Sequence, residues 1–328
     1  MPAQNKSVEA KLAALGELDL SSDAAAAQAA LRAALAERHY RVVAKAAELA
    51  GERLFYDLQV PLRDAYARFL RDPVKADPNC IAKRAIARTL VALECNHVAF
   101  FLDGVRYRQM EPVWGGSVDT AVDVRASCAM GLVATGYARA LHELTPLLTD
   151  SEPVVRQGAI RAIACANPRE AELLLRFKAG VGDQEPLVMG DCFAGLLSVA
   201  PEESLPFIAQ YLNRDVDDDV REAAALALGE SRLEAALPCL RQAWDDEMIM
   251  TDFRRALLRA AALHRSEAAF DWLLSLIAEG HASVAEPAVR SLAIYPHNDR
   301  LRERIESVLA QRNDRRLSEA FAREWPEE

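Results

Sequence analysis

Glycine and proline are scarce in this sequence, 14 and 15 among 328 residues, and aromatic residues make up only 6%. Sandwiches, barrels and doubly wound sheets need frequent turns and β-branched runs, so their shortage argues against those classes. No run of 18 apolar residues occurs, which excludes a membrane-spanning helix on hydropathy. The N-terminal stretch MPAQNKSVEAKLAALGELDL has no apolar centre of the kind a signal peptide needs.

Signatures of chemistry are equally sparse. The cysteines, Cys80, Cys95, Cys128, Cys165, Cys192 and Cys239, lie 15 to 47 residues apart, and no pair has zinc or redox spacing. Cys128, Cys165 and Cys192 sit among Ala, Gly and Leu, as buried thiols do, and thiols without a pairing framework suit a reducing cytoplasm. His39, His97, His142, His264, His281 and His297 form no H-x-x-x-H, H-E-x-x-H or H-x-H pattern. Neither a G-x-S-x-G elbow nor a G-x-x-x-x-G-K phosphate loop is present. No catalytic residue, metal or cofactor is therefore expected.

What the chain has in abundance is alanine, leucine and acid. Hydrophobic residues make up 51%, and the formal charge is −10. Residues 1–110 carry 16 Lys/Arg and 13 Asp/Glu, a balance of +3, leaving −13 for residues 111–328. Such a chain is a poor general polyanion binder, although a local basic face can override net charge.

The main signal is repetition. VRASCAMGLVAT from Val124, VRQGAIRAIACA from Val155, VMGDCFAGLLSV from Val188 and VREAAALALGES from Val220 align without gaps. FRRALLRAAALH from Phe253 and VAEPAVRSLAIY from Val284 follow, at steps of 31, 33, 32, 33 and 31 residues. Upstream, VAKAAELAGERL from Val43 and AKRAIARTLVAL from Ala82 fit the same mould at steps of 39 and 42. Apolar and small residues fall at offsets 0, 3, 4, 7 and 8, one face of a 3.6-period helix. A second amphipathic stretch lies between copies, so each unit is a helix pair whose apolar stripe is buried only by stacking on its neighbours.

Turn chemistry points the same way. Asp150 and Asp183 each stand three residues before a proline that opens a helix, and Asp215 to Asp219 place acid at the corresponding helix start. The turn Asp followed by Val-Arg resembles HEAT repeats of the phycobilisome-lyase-type HEAT-like class, over about residues 40–295. The resemblance implies an all-α, right-handed α-α superhelix, an armadillo-type solenoid of about eight helix pairs. One continuous solenoid is expected over residues 21–316, between a loosely ordered segment 1–20 and a C-terminal tail 317–328. Ser21, Ser22 and Asp23 are expected to cap an alanine-rich helix reaching about Glu37, and 299–316 a polar-faced terminal helix.

Two features nominate a binding surface. The step from Ala82 to Val124 is about ten residues too long, and the excess maps to a loop over 109–119 that holds Trp114, Gly115 and Gly116. Long loops in economical repeats are often functional, and an exposed tryptophan is a natural anchor. The alternative is a loop that folds back, with Trp114 plugging a gap between repeats. The second feature is a row at offsets 2 and 6, on the face away from the apolar stripe, which in HEAT-type units lines the concave side. It supplies Arg84, Arg88, Arg161, Arg255, Arg259 and Arg290, whose forked guanidinium donors suit an acidic protein surface or peptide.

Offset 1 supplies Lys83, Arg125, Arg156, Arg221 and Arg254. In resembling repeats this position forms a structural ladder with turn aspartates, which would pair Arg156 with Asp119 or Asp150, and Arg221 with Asp183 or Asp215. The resulting expectation is a cytoplasmic, monomeric, non-catalytic scaffold that binds a partner protein through the concave row and the 109–119 loop. One rival is a nucleic-acid-binding protein akin to HEAT-like DNA glycosylases, opposed by the net charge and the lack of lysine clusters. A second, implied by the repeat class, is a bilin lyase-like or chaperone-like subunit.

Overall fold

The computed structural model describes residues 2–18, 24–213, 215–246 and 251–325. The chain folds into two compact units, residues 1–167 and 168–328. Both are helical, so the fold is all-α, and the one sheet among the described residues is a two-stranded hairpin.

Unit one contains α1 (Pro2–Gly16), α2 (Ala24–Leu35), α3 (Tyr40–Glu52), α4 (Gln59–Phe69), the short α5 (Pro73–Ala76), α6 (Ile81–Ala92) and α7 (Val98–Arg106). The hairpin strands β1 (Met110–Val113) and β2 (Gly116–Asp119) follow, then α8 (Val122–Ala134), α9 (Ala140–Leu144) and α10 (Pro153–Ala164). Helices α3, α6, α8 and α10 pack in succession as one row. They correspond to the repeats beginning at Val43, Ala82, Val124 and Val155. Against them lie α2, α4, α7 and a 3-10 turn at Thr145–Thr149, giving four helix pairs.

Unit two contains α11 (Pro168–Val181), α12 (Pro186–Val199), α13 (Pro201–Ala209), α14 (Asp218–Ser231), α15 (Ala236–Asp245), α16 (Asp252–His264), α17 (Glu267–Glu279), α18 (Ala282–Leu292), α19 (Asp299–Arg312) and α20 (Arg315–Glu324). Here α12, α14, α16, α18 and α20 form the row, α11, α13, α15 and α17 each back the row helix that follows, and α19 packs on α17.

The apolar stripe makes the rows. In α10, Val155, Ala159, Ala162 and Ile163 are buried, and in α16 Phe253, Ala256, Leu257, Ala260 and Ala261. Each large aliphatic side chain taken from water stabilises by about 1.5–3 kcal/mol, and the small residues between them let helix axes approach. Gly104 of α7 has no room for a Cβ, which would run into Cys128 Sγ of α8. A Cβ on Gly229 of α14 would meet the Ala260 carbonyl of α16.

Prolines open α10, α11, α12 and α13, where the missing N–H costs nothing. Asp150 and Asp183 are not the helix caps themselves. Each carboxylate accepts the amide two residues on, Glu152 N and Glu185 N at 3.0 Å, forming a turn ahead of caps Glu152 and Glu185. Asp217 caps α14 directly.

Four expectations need correction. Residues 2–16 form a helix rather than a loose segment: Val8 and Leu15 are buried, and Glu9 and Lys11 pair with Arg41 and Glu37. The terminal helix stops at Arg312, where Asn313 adopts φ 55°, and a further helix follows. Residues 317–324 belong to that helix, not to a tail, because Leu317, Ala320 and Phe321 on α20 and the following Trp325 are buried. The 109–119 loop is a β-hairpin. The cap proposed at Ser21 to Asp23 lies outside the described residues, as does the end of the expected tail, 326–328.

Candidate functional site

The hairpin lies in the connection between α7 and α8 of unit one. Its register pairs Met110 with Asp119, Glu111 with Val118, Pro112 with Ser117 and Val113 with Gly116. Trp114 and Gly115 make the two-residue tip, where Gly115 at φ 87° takes a left-handed conformation that costs glycine little. Trp114 is fully exposed, and Met110, Val113 and Val118 are about half exposed. The tryptophan therefore plugs nothing.

The base of the hairpin is the opposite: buried, polar and bonded. Glu111 Oε1 accepts from Asn79 N at 2.6 Å, Gln109 Nε2 at 2.7 Å and Thr120 Oγ1 at 2.7 Å. Gln109 Nε2 also donates to the Asp77 carbonyl at 3.0 Å, and Tyr107 OH donates to Gln109 Oε1 at 2.7 Å. Asp77 in turn accepts from Ala82 N and Lys83 N at the start of α6. Lys83 Nζ lies 2.9 Å from Asp77 Oδ2, an ion pair without hydrogen-bond alignment, between the rings of Phe69 and Tyr107. Both members of that pair are inaccessible to solvent.

A second knot lies at the β2 end. Asp119 Oδ1 accepts from Ala121 N and Gln109 N, while Asp119 Oδ2 takes Arg125 Nη1 at 2.7 Å. Arg125 continues to the Tyr107 carbonyl at 2.9 Å and to Asp150 at 3.4 Å. Arg108 bridges the same two carboxylates, 3.4 Å from Asp119 and 2.8 Å from Asp150. Arg108, Arg125 and Asp150 edge a cavity of about 420 Å³ that also meets the Arg106–Glu143 pair, so three arginines and two acids line it.

The electrostatics follow from this bonding. Burial alone would raise the Glu111 carboxyl, but the Thr120, Gln109 and Asn79 bonds, with Lys83, hold it below its ordinary value. Asp119 is likewise held low, against burial, by the Ala121 and Gln109 amides and by Arg125. Burial pushes the Cys80 thiol up to about 11 despite the Thr120 hydroxyl beside it, which leaves no reactive thiolate.

Of the offset-1 residues, Lys83 and Arg125 meet carboxylates as described. Arg156 Nη1 donates to the Asp150 carbonyl at 2.7 Å, and Arg221 pairs with Asp218 at 2.8 Å. In unit two aromatic faces join in: the Arg221 guanidinium lies 3.7 Å from the Phe253 ring centre, and that of Arg254 lies 3.9 Å from Trp244.

The offset-2 and offset-6 arginines divide between the two units, three in each. Arg84 and Arg88 of α6 converge on Asp123 of α8, at 3.6 and 3.0 Å, two cations on one carboxylate. Arg161 is exposed on α10 in the same unit. In unit two, Arg255 pairs with Asp252, Arg259 is exposed one turn further along α16, and Arg290 contacts Glu286 at 2.7 Å and Glu324 at 3.6 Å. Sequence reasoning missed Asp77, Gln109, Glu111, Thr120 and Asp123. Asp77 alone carried a signal, since Asp77-Pro78 precedes α6 much as aspartate and proline precede α10 and α12.

Among the described residues no group of three or more His, Cys, Asp or Glu is placed to hold a metal, and no helix is long and apolar enough to cross a membrane. Residues 179–248 match the family described as HEAT repeats. No curated protein matches the sequence. Similar solved structures include the complex of CpcE and CpcF of phycocyanin lyase from Nostoc sp. PCC7120, at 15% identity and TM-score 0.39, covering 76% of this chain and 94% of that one. Human deoxyhypusine hydroxylase matches at 18% identity and TM-score 0.31, covering 80% and 99%. An engineered protein matches at 16% identity and TM-score 0.38, covering 97% and 95%. The matched segment, which spans α12 to α15, thus carries HEAT repeats, and helices pair in the same way within each unit.

Proposed function

We propose that this protein is a non-catalytic interaction scaffold that grips a partner protein or peptide with an acidic surface. The hairpin of unit one is its main anchor. The supporting observation is the contrast within ten residues: a fully exposed Trp114 at the tip, and a base locked by Glu111 and Asp119. A rigid support lets an exposed aromatic side chain bind without a large ordering cost. Arg84 and Arg88, sharing only Asp123, supply positive charge in the same unit, and Arg161, Arg255, Arg259 and Arg290 are further contact positions. The arginine row would form the concave lining, and Lys83, Arg125, Arg156, Arg221 and Arg254 the supporting ladder. Six unpaired thiols fit a reducing cytoplasm.

The test is a pull-down from native cell extract with wild type and an Arg84→Glu/Arg88→Glu/Trp114→Ala variant, after circular dichroism shows equal folding. A protein recovered by wild type and lost by the variant supports the scaffold. Recovery of nuclease-sensitive nucleic acid, weakening steeply with salt, would favour the nucleic-acid rival instead. Equal recovery by both proteins overturns the assignment of the surface.

A further inference from the structure

Three helices start on a histidine whose Nδ1 accepts a backbone amide: His39 on α3, His97 on α7 and His281 on α18. Only the neutral imidazole keeps a lone pair on Nδ1, so such a cap is lost when the ring takes a second proton. His97 and His281 are exposed, whereas His39 is half-buried. Its Nδ1 accepts Arg41 N at 3.3 Å, and its ring stacks on Tyr40 with centroids 4.9 Å apart. It also edges a cavity of about 520 Å³ with Ser7, Val8 and Lys11 of α1 and with Glu37 and Arg38 of the turn after α2.

Charge around this ring is lopsided. Glu9 and Lys11 come from α1, Glu37 and Arg38 from the turn, and Arg41 from the first turn of α3. Arg68 of α4 holds the Leu35 and Glu37 carbonyls of the same turn. That makes four cations to two carboxylates among the described groups. Both carboxylates are engaged, Glu9 with Arg41 at 2.9 Å and Glu37 with Lys11 at 2.6 Å, and these two ion pairs fasten α1. A proton on His39 would add a fifth cation at the positive end of α3. It would also fray the first turn of α3, which positions the Arg41 that holds Glu9.

We propose that His39 is a proton-sensitive latch for α1: neutral, it caps α3 and keeps α1 docked, and protonated, it uncaps α3 and releases α1. Burial and then Arg41 hold the His39 ring below its ordinary value, against the opposing pull of Glu9. The undocked chain therefore binds the proton more readily. Docking is strongest above the ordinary histidine value of about 6.5 and weakens as pH falls from there through the value in the docked chain.

A 15-residue helix on its own is marginal in water, so the α1 amides are protected from exchange only while the helix is docked. Hydrogen–deuterium exchange of the full chain, corrected for the intrinsic effect of pH, reads that protection. Over α1 it should fall about fivefold from about pH 7.5 to about pH 5, the size of one helix cap, while the carboxylates stay largely ionised. His39→Asn retains a neutral cap and should stay protected throughout. His39→Arg, a cation without an acceptor, should exchange at the acid level at both ends of the range. Long-range proton–nitrogen correlation spectra at neutral pH should find the His39 proton on Nε2, as an accepting Nδ1 requires. Wild-type protection that does not fall, an equal fall in His39→Asn, or a neutral His39 protonated on Nδ1 overturns the proposal.

Discussion

Arg125 Nη1 stands 2.7 Å from Asp119 Oδ2, with both side chains almost wholly buried, and this pair ties the hairpin to the helix row of unit one. The two charges compensate one another at the shortest distance in a cluster that includes Arg108 and Asp150. Breaking a buried pair from one side leaves an uncompensated charge, at a cost of about 3–5 kcal/mol. Asp119→Ala should therefore lower the urea midpoint strongly, and Arg125→Ala similarly. The double variant should lose much less than the sum of the two, because it removes both charges.

The same base makes stability depend on pH. Glu111 and Asp119 both titrate below their ordinary values in the folded chain, because hydrogen bonds and cations outweigh the opposing effect of burial. A carboxyl lowered on folding contributes stability that is present above its unfolded value, about 4, and lost as pH falls through the folded value. Urea unfolding from about pH 7 down to about pH 3 should show that acid loss. Glu111→Gln should begin less stable at neutral pH by about 1–3 kcal/mol and lose less on acidification. An equal slope in both proteins would remove Glu111 from the account.

Trp114 should separate binding from stability. Its ring touches solvent on all sides, so Trp114→Ala should change unfolding free energy by less than about 0.5 kcal/mol. Loss of partner recovery should nonetheless be large, at least tenfold if the ring is a true anchor of about 2 kcal/mol or more. Tryptophan fluorescence should shift to the blue when partner covers it, a change absent from the variant.

Residues at offset 0 of the repeats made the helix rows readable in advance, from Val43 to Val284, because burial of one stripe enforces a fixed period. The hairpin was visible only as excess length. Met110-Glu-Pro-Val and Gly116-Ser-Val-Asp show no clean alternation, since Glu111 faces the protein while Met110 and Val113 face water. Its buried base was not legible either. Asp77, Gln109 and Glu111 meet across 32 residues of chain, and nothing local marks polar residues that find partners only after folding. Arg84 and Arg88 are exposed, as their offsets imply, yet Asp123, which both reach, was hidden because it sits one position ahead of the repeat.

The repeat at Leu317 was the easiest to miss and offers a sharp check on how far the row runs. Leu317 falls 33 residues after Val284, and Ala320, Phe321 and Trp325 follow at offsets 3, 4 and 8, so α20 continues the repeat pattern in a sequence otherwise crowded with charge. Trp325 is buried and stacks on Phe321, and α20 packs on α18. A helix packed into the row carries core burial, so Trp325→Ala should cost about 3–5 kcal/mol, as a large aromatic truncation in a core does. A dispensable tail would give no change. Thermal unfolding of Trp325→Ala beside Trp114→Ala decides between them, since both remove an indole and only one removes a packed one.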